Sequence, residues 1–215
     1  AQDEREQQDD DPQAQHPHRA NLQHRAQRSR RSGLTGCPRD LAPGLGHYLY
    51  VPGTDPKTAR TVSTVKVRPG EKGPLVASLL VESDAPGARG LSREFRVIAG
   101  LSRFEVILTL DKEKVREKEG VHIAFPFGVP EGTVRVDVGW GLVRPEADQI
   151  PGACRDFFCA RDSVDISNHD FGVTWTPLDA PLVEVGAITD ETPGAGERRS
   201  WLKSLAPSNL LFSYA

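Results

Sequence analysis

From about residue 45 onward, apolar positions recur every second residue in short runs, and Gly or Pro interrupts the runs. A period of two places alternate side chains on opposite faces of an extended strand. Residues 61–67 alternate and are rich in β-branched side chains. Residues 74–82 form a nearly continuous apolar run, which predicts a strand buried on both faces. Phe95, Val97 and Ala99 alternate with polar or branched neighbours, as do Phe104, Val106, Leu108 and Leu110 beyond Gly100. These two runs predict an antiparallel hairpin turning at residues 99–102. Further strands are predicted over residues 121–127, 133–138, 163–167, 172–175 and 182–186. Between them lie turn signals: Val129-Pro130-Glu131-Gly132, Arg144-Pro145, Ile150-Pro151-Gly152 and Thr176-Pro177. No long segment has helical periodicity. Many short strands with turn residues between them predict an all-β fold, an antiparallel β-sandwich.

Two stretches break this pattern. Residues 111–119 carry Lys112, Glu113, Lys114, Arg116, Glu117, Lys118 and Glu119. Their i,i+4 spacing brings no charge pairing, which favours a solvated loop or short helix capping the sheet. Residues 1–33 are dominated by Gln, Asp, Arg and His, with no aromatic residue and Leu22 as the only large aliphatic one. Such a stretch buries too little apolar surface to offset its ordering entropy, so residues 1–44 are expected to be a disordered or linker-like tail. The domain proper is expected over residues 45–215.

Composition narrows the function classes. The chain has 215 residues, 37% of them hydrophobic and 27% charged, with a formal net charge of -3. That balance gives no global attraction to nucleic acid or to a membrane surface. The Arg25, Arg28, Arg30 and Arg31 cluster reads as part of a solvated tail. No apolar run reaches the roughly 18–20 residues of a membrane span, and no leader pattern is visible. A soluble protein is expected, with the cytoplasm favoured over secretion. Cys37, Cys154 and Cys159 are too few and too widely spaced for a disulfide framework, and read as small buried or semi-buried thiols. A bridge between Cys154 and Cys159 across a bend stays open.

The densest cluster of chemically capable side chains is Asp165, His169, Asp170 and Asp179. A metal site would need two or three of them to converge. Asn168-His169-Asp170-Phe171-Gly172 reads better as a hairpin turn, in which Asn, Asp and Gly supply turn hydrogen bonds and positive φ. His122, between Val121 and Ile123, is expected on the face opposite both, as a structural histidine. Trp140, Trp175 and Trp201 either fill space between sheets, the favoured reading, or stack on pyranose rings if exposed. Trp140, Trp175, His169 and Asp170 are the residues singled out as candidates for contacting carbohydrate.

Several blocks, in order, carry a family resemblance. They are His47-Tyr48-Leu49-Tyr50-Val51-Pro52-Gly53, Gly73-Pro74-Leu75-Val76-Ala77-Ser78 with Glu82-Ser83-Asp84-Ala85-Pro86-Gly87, and Lys118-Glu119-Gly120-Val121-His122-Ile123-Ala124-Phe125-Pro126-Phe127. Arg144-Pro145-Glu146-Ala147-Asp148-Gln149-Ile150-Pro151-Gly152-Ala153 follows. Asp165-Ile166-Ser167-Asn168-His169-Asp170-Phe171-Gly172-Val173-Thr174-Trp175 and Leu178-Asp179-Ala180-Pro181-Leu182-Val183-Glu184-Val185-Gly186 complete the set. From about Leu45 to Tyr214 the chain resembles glycoside hydrolase family 38, the α-mannosidases, in the β-rich region downstream of the catalytic domain. The resemblance implies a mutarotase-like C-terminal β-sandwich, incomplete at its C-terminal end. It implies as partners the catalytic domain of a parent α-mannosidase and mannose-containing glycans, with neither nucleic acid nor membrane. The family's nucleophile and zinc-binding motifs are not found in this sequence, so no catalytic or metal residue is carried over. The zinc is expected in the missing catalytic domain, no cofactor is expected in this chain, and this piece is expected to be inactive alone. The alternative is a stand-alone, non-catalytic carbohydrate-binding module.

Overall fold

In the computed structural model the described residues are 19–29, 44–55, 58–145, 147–151, 153, 157–185 and 209–214; for 19–29 and 209–214 the description is of the backbone alone. Among them are fifteen strands and no α-helix. The strands are β1 (Arg19–Ser29), β2 (His47–Pro52), β3 (Arg60–Thr61), β4 (Val65–Lys72), β5 (Val76–Ser83), β6 (Ala88–Ile98), β7 (Arg103–Lys112) and β8 (Glu119–Phe127). They continue with β9 (Thr133–Asp137), β10 (Leu142–Val143), β11 (Phe157–Cys159), β12 (Val164–Ser167), β13 (Gly172–Pro177), β14 (Leu182–Val185) and β15 (Asn209–Tyr214). A nine-stranded sheet has the order β10-β9-β12-β13-β1-β7-β6-β5-β4, and a six-stranded sheet the order β11-β14-β15-β8-β2-β3. Every pairing between these strands is antiparallel. No helix among the described residues is long and apolar enough to cross a membrane.

The two sheets share one core. The six-stranded sheet contributes Tyr48, Tyr50, Val121, Ile123, Phe125, Phe127, Val183 and Val185. The nine-stranded sheet contributes Leu91, Val106, Leu108, Leu110, Val134, Val136, Val164, Ile166 and Trp175. Each set occupies alternate positions along its strands, as the period of two requires. The β6–β7 hairpin forms as expected, with Val97 opposite Phe104 and Gly100 at φ 79 in the turn.

Arg19–Ser29 departs from the expected disordered tail. Its backbone is a strand that pairs with β7 on one side and β13 on the other. Composition bears on apolar burial, whereas this strand is held through backbone ladders. Both β7 and β13 have backbone groups to satisfy, and an inserted strand supplies both edges. It thereby joins a β4–β7 meander to a group made of β9, β10, β12 and β13 that is far away in sequence. The remainder of the expected tail lies outside the described residues.

Residues 74–82 are a second correction. The strand there, β5, is not buried on both faces: Leu79 is 52% exposed, and Val67 beside it on β4 is 63% exposed. β4 is the sheet edge and β5 its neighbour. The shared core reaches as far as Leu91 of β6 and fades beyond it. An apolar run in sequence does not reveal how far the opposing sheet extends. The charged insert, residues 113–118, is an exposed loop without helix.

Candidate functional site

The turn between β12 and β13 is built by Asn168. Its side-chain oxygen accepts the backbone N–H groups of Asp170 and Phe171, both at 2.9 Å. Its amide nitrogen donates to the Pro130 carbonyl at 2.9 Å, tying this turn to the one that precedes β9. The turn reading of residues 168–172 holds in its hydrogen bonds, but none of these residues takes the positive φ that it expected. Gly172 is required there, because a Cβ would lie 2.6 Å from Ser167 Cβ.

Between the two turns opens a polar cleft of about 610 Å³. Arg135 forms its floor, with one guanidinium nitrogen 3.2 Å from Asp165 Oδ1 and 2.9 Å from Ser167 Oγ. Ser167 in turn donates to Asp165 at 2.7 Å. His169 and Asp170 stand exposed at the mouth, 3.2 Å apart. Phe171 supplies an aromatic wall, and Thr133 a hydroxyl. Glu131, at the rim, has φ 53 and is the one non-glycine residue at positive φ among those described. Such a conformation costs of order 1 kcal/mol and persists only where surroundings hold it. Fixed donors and acceptors beside one aromatic ring suit a neutral, hydroxyl-rich ligand.

The other sequence candidates are scattered. Trp175 is not available to any ligand: it is 0% exposed and lies 4.8 Å from Phe125, ring centre to ring centre. Its place on the inward parity of β13 turns it into core between the sheets. Trp140 is fully exposed at the tip of the β9–β10 hairpin. That hairpin is braced, with Val138 N donating to Gly141 O, Gly139 N to Asp137 Oδ1, and Arg161 to Gly139 O. Trp140 and His169 sit at opposite ends of the β9–β12 ladder. That ladder is about 13 Å long from Thr133 to Asp137, so the two cannot hold the same sugar ring. Trp201 lies outside the described residues.

Asp165 faces Arg135 rather than His169, and Asp179 is exposed on the loop before β14. Among the described residues no three His, Cys, Asp or Glu side chains converge to hold a metal ion. Cys159 is exposed rather than buried, and is a free thiol; Cys37 and Cys154 lie outside the described residues. His122 is 1% exposed on the face of β8 away from the shared core, 3.7 Å from the buried Glu184 carboxylate. Burial pushes its imidazole down to about 4.

Sequence reasoning missed Arg135 and Glu131. Arg135 occupies the outward parity of β9, but its placement beside Asp165 needs the β9–β12 register. Fold and cleft define a class: an all-β protein of two antiparallel sheets with a polar surface site on its strand-connecting turns. No protein-family model matches the chain, and none of the curated proteins compared with it matches either.

Proposed function

We propose that the chain is a non-catalytic, mutarotase-like β-sandwich domain of a glycoside hydrolase similar to the family 38 α-mannosidases, and that its β12–β13 cleft meets mannose-containing glycans. The observation that carries this reading is where the family-like blocks fall. The Lys118–Phe127 block supplies β8, central in one sheet, and residues 165–186 supply β12, β13, β14 and the cleft mouth. In the parent enzyme a separate catalytic domain supplies the nucleophile, the acid/base carboxyl group and zinc. Hydrolysis of terminal α-mannosides with retention needs those two carboxyl groups about 5–5.5 Å apart. This chain's contribution is contact: Asp170 accepts from sugar hydroxyls, His169 and Arg135 donate, and Phe171 gives an apolar face.

The test is aryl α-mannoside hydrolysis by the purified chain, with and without zinc, followed by titration with mannose-containing oligosaccharides. The expected result is no turnover, with binding weakened by His169→Ala and Asp170→Ala. Zinc-dependent turnover, abolished by chelator and by changing Asp165, His169 or Asp170, would overturn it. A second reading, a stand-alone carbohydrate-binding module, is favoured by one observation: the braced hairpin displays a fully exposed Trp140. Loss of oligosaccharide binding in Trp140→Ala, with the His169 and Asp170 variants unaffected, would select it.

A further inference from the structure

The outer face of the nine-stranded sheet holds a second hollow, far from the β12–β13 turn. Strand β6 carries one extra residue between Ala88, opposite Lys112, and Leu91, opposite Leu110. Arg89 and Gly90 thus share the space across from Asp111. A bulge bends its strand and re-aims side chains, and a glycine within a strand marks such a bulge or a close approach. The next outward row runs Lys66, Glu82, Ser92, Thr109 across β4, β5, β6 and β7, each directly opposite the next. Small Gly90 and Ser92 lie in the middle, with long charged side chains on the flanks. The result is a groove of about 550 Å³, with Thr64, Asp84 and Arg89 on its walls. Nothing lies within 4 Å of where a Gly90 Cβ would project.

Part of this lining is already occupied and part is not. Arg89 pairs with Asp111 at 3.0 Å, and Glu82 with Arg68 at 3.3 Å. These pairs fix the walls. The Lys66 ammonium, the Asp84 carboxylate and the Ser92 hydroxyl make no hydrogen bond to the described residues. They present a donor, an acceptor and a group that is both. Two cations and three carboxylates line the groove, close to balance, which disfavours a phosphate or a free cation and suits an uncharged ligand. The volume lies within the range of small-molecule sites.

We infer that this bulge groove is a second binding site, for a short stretch of neutral, polyhydroxylated ligand such as two or three linked sugar residues, separate from the β12–β13 cleft. It rests on the carbohydrate class of ligand proposed above, and not on the cleft. Hydroxyl pairs on the ligand donate to Asp84 and accept from Lys66, and the ring face approaches Gly90, where no side chain stands. The site spans β4 to β7 at the β4 end of the nine-stranded sheet, on paired strands rather than on a loop, so less ordering opposes binding.

The experiment is calorimetric titration of the whole chain with linear manno-oligosaccharides of two to five units, with inorganic phosphate as control. Gly90→Tyr starts from open space at its Cβ and projects a ring into the groove. Asp84→Asn removes only the charged acceptor. Asp170→Ala alters only the other cleft. The expected result is a class of binding weakened about tenfold or more by Gly90→Tyr and by Asp84→Asn, the loss that follows removal of a hydrogen bond to a charged group. Asp170→Ala leaves that class unchanged. Oligosaccharide binding that Asp170→Ala weakens and Gly90→Tyr leaves within about twofold of wild type would overturn the groove and leave the cleft standing. Binding of phosphate alone, or of no oligosaccharide at all, would also overturn the groove.

Discussion

Replacing Gly87 by Ala tests how the β5–β6 turn is locked onto the six-stranded sheet. Gly87 has φ 73, and a Cβ there would lie 2.5 Å from Tyr50 Cε2 and 2.9 Å from its Cδ2 and Cζ. Tyr50 cannot easily yield. Its hydroxyl donates to Glu119 Oε2 at 2.7 Å, and Lys112, itself 2.6 Å from Glu119, lies over its ring. The neighbouring Pro86 carbonyl accepts the Tyr48 hydroxyl at 2.6 Å, so the turn backbone is anchored as well. Positive φ costs a non-glycine residue about 1–2 kcal/mol. Overpacking against a fixed ring adds about 1–3 kcal/mol. Gly87→Ala is therefore expected to destabilise by about 2–5 kcal/mol, a large share of a typical total stability of 5–15 kcal/mol. Gly90→Ala, three residues on with open space and no positive φ, is expected within about 0.5 kcal/mol of wild type. Urea unfolding followed by circular dichroism compares the two. A Gly87→Ala midpoint equal to wild type, or equal losses at both glycines, would refute the reasoning.

Three more outcomes are expected. Trp175→Ala, deep in the core against Phe125, should cost about 3–5 kcal/mol in urea unfolding; Trp140→Ala should cost under about 0.5 kcal/mol, and Trp140→Phe should remove an iodide-quenchable part of the fluorescence. Asn168→Ala removes the acceptor of two turn N–H groups and the donor to Pro130. It should destabilise by about 1–2 kcal/mol and weaken glycan binding even though His169 and Asp170 remain. His122 is held neutral by burial, with its pKa lowered from 6.5 to about 4. The unfolded chain then binds the extra proton, so this contribution is complete above pH 6.5 and is lost as pH falls towards 4. The slope from this residue is at most about 1.4 kcal/mol per pH unit, and His122→Gln should flatten unfolding curves measured across that window; an unchanged slope would refute it.

Much of the architecture was legible along the chain. Alternation located β8, β9, β12, β13 and β14 to within one or two residues, because a half-buried strand must place apolar side chains on one parity. It also placed His122 opposite Val121 and Ile123, and the Asn-His-Asp-Phe-Gly run was readable as a turn, because the asparagine oxygen reaches its own backbone two and three residues on. Tertiary structure alone decided the rest. The polar Arg19–Ser29 strand carries no apolar alternation; it exists through the ladders of β7 and β13, which are remote in sequence. Trp140 and Trp175 look alike as isolated aromatics, yet parity and the opposing sheet bury one and leave the other in water. Leu79 and Val67 belong to apolar runs but stay exposed, because the second sheet's reach is not written in the strand it fails to cover. Arg135 meets Asp165, and Lys66, Glu82 and Ser92 fall in one row, only through strand register. Local sequence sets which face a side chain takes, whereas pairing between distant strands sets which side chains share a site.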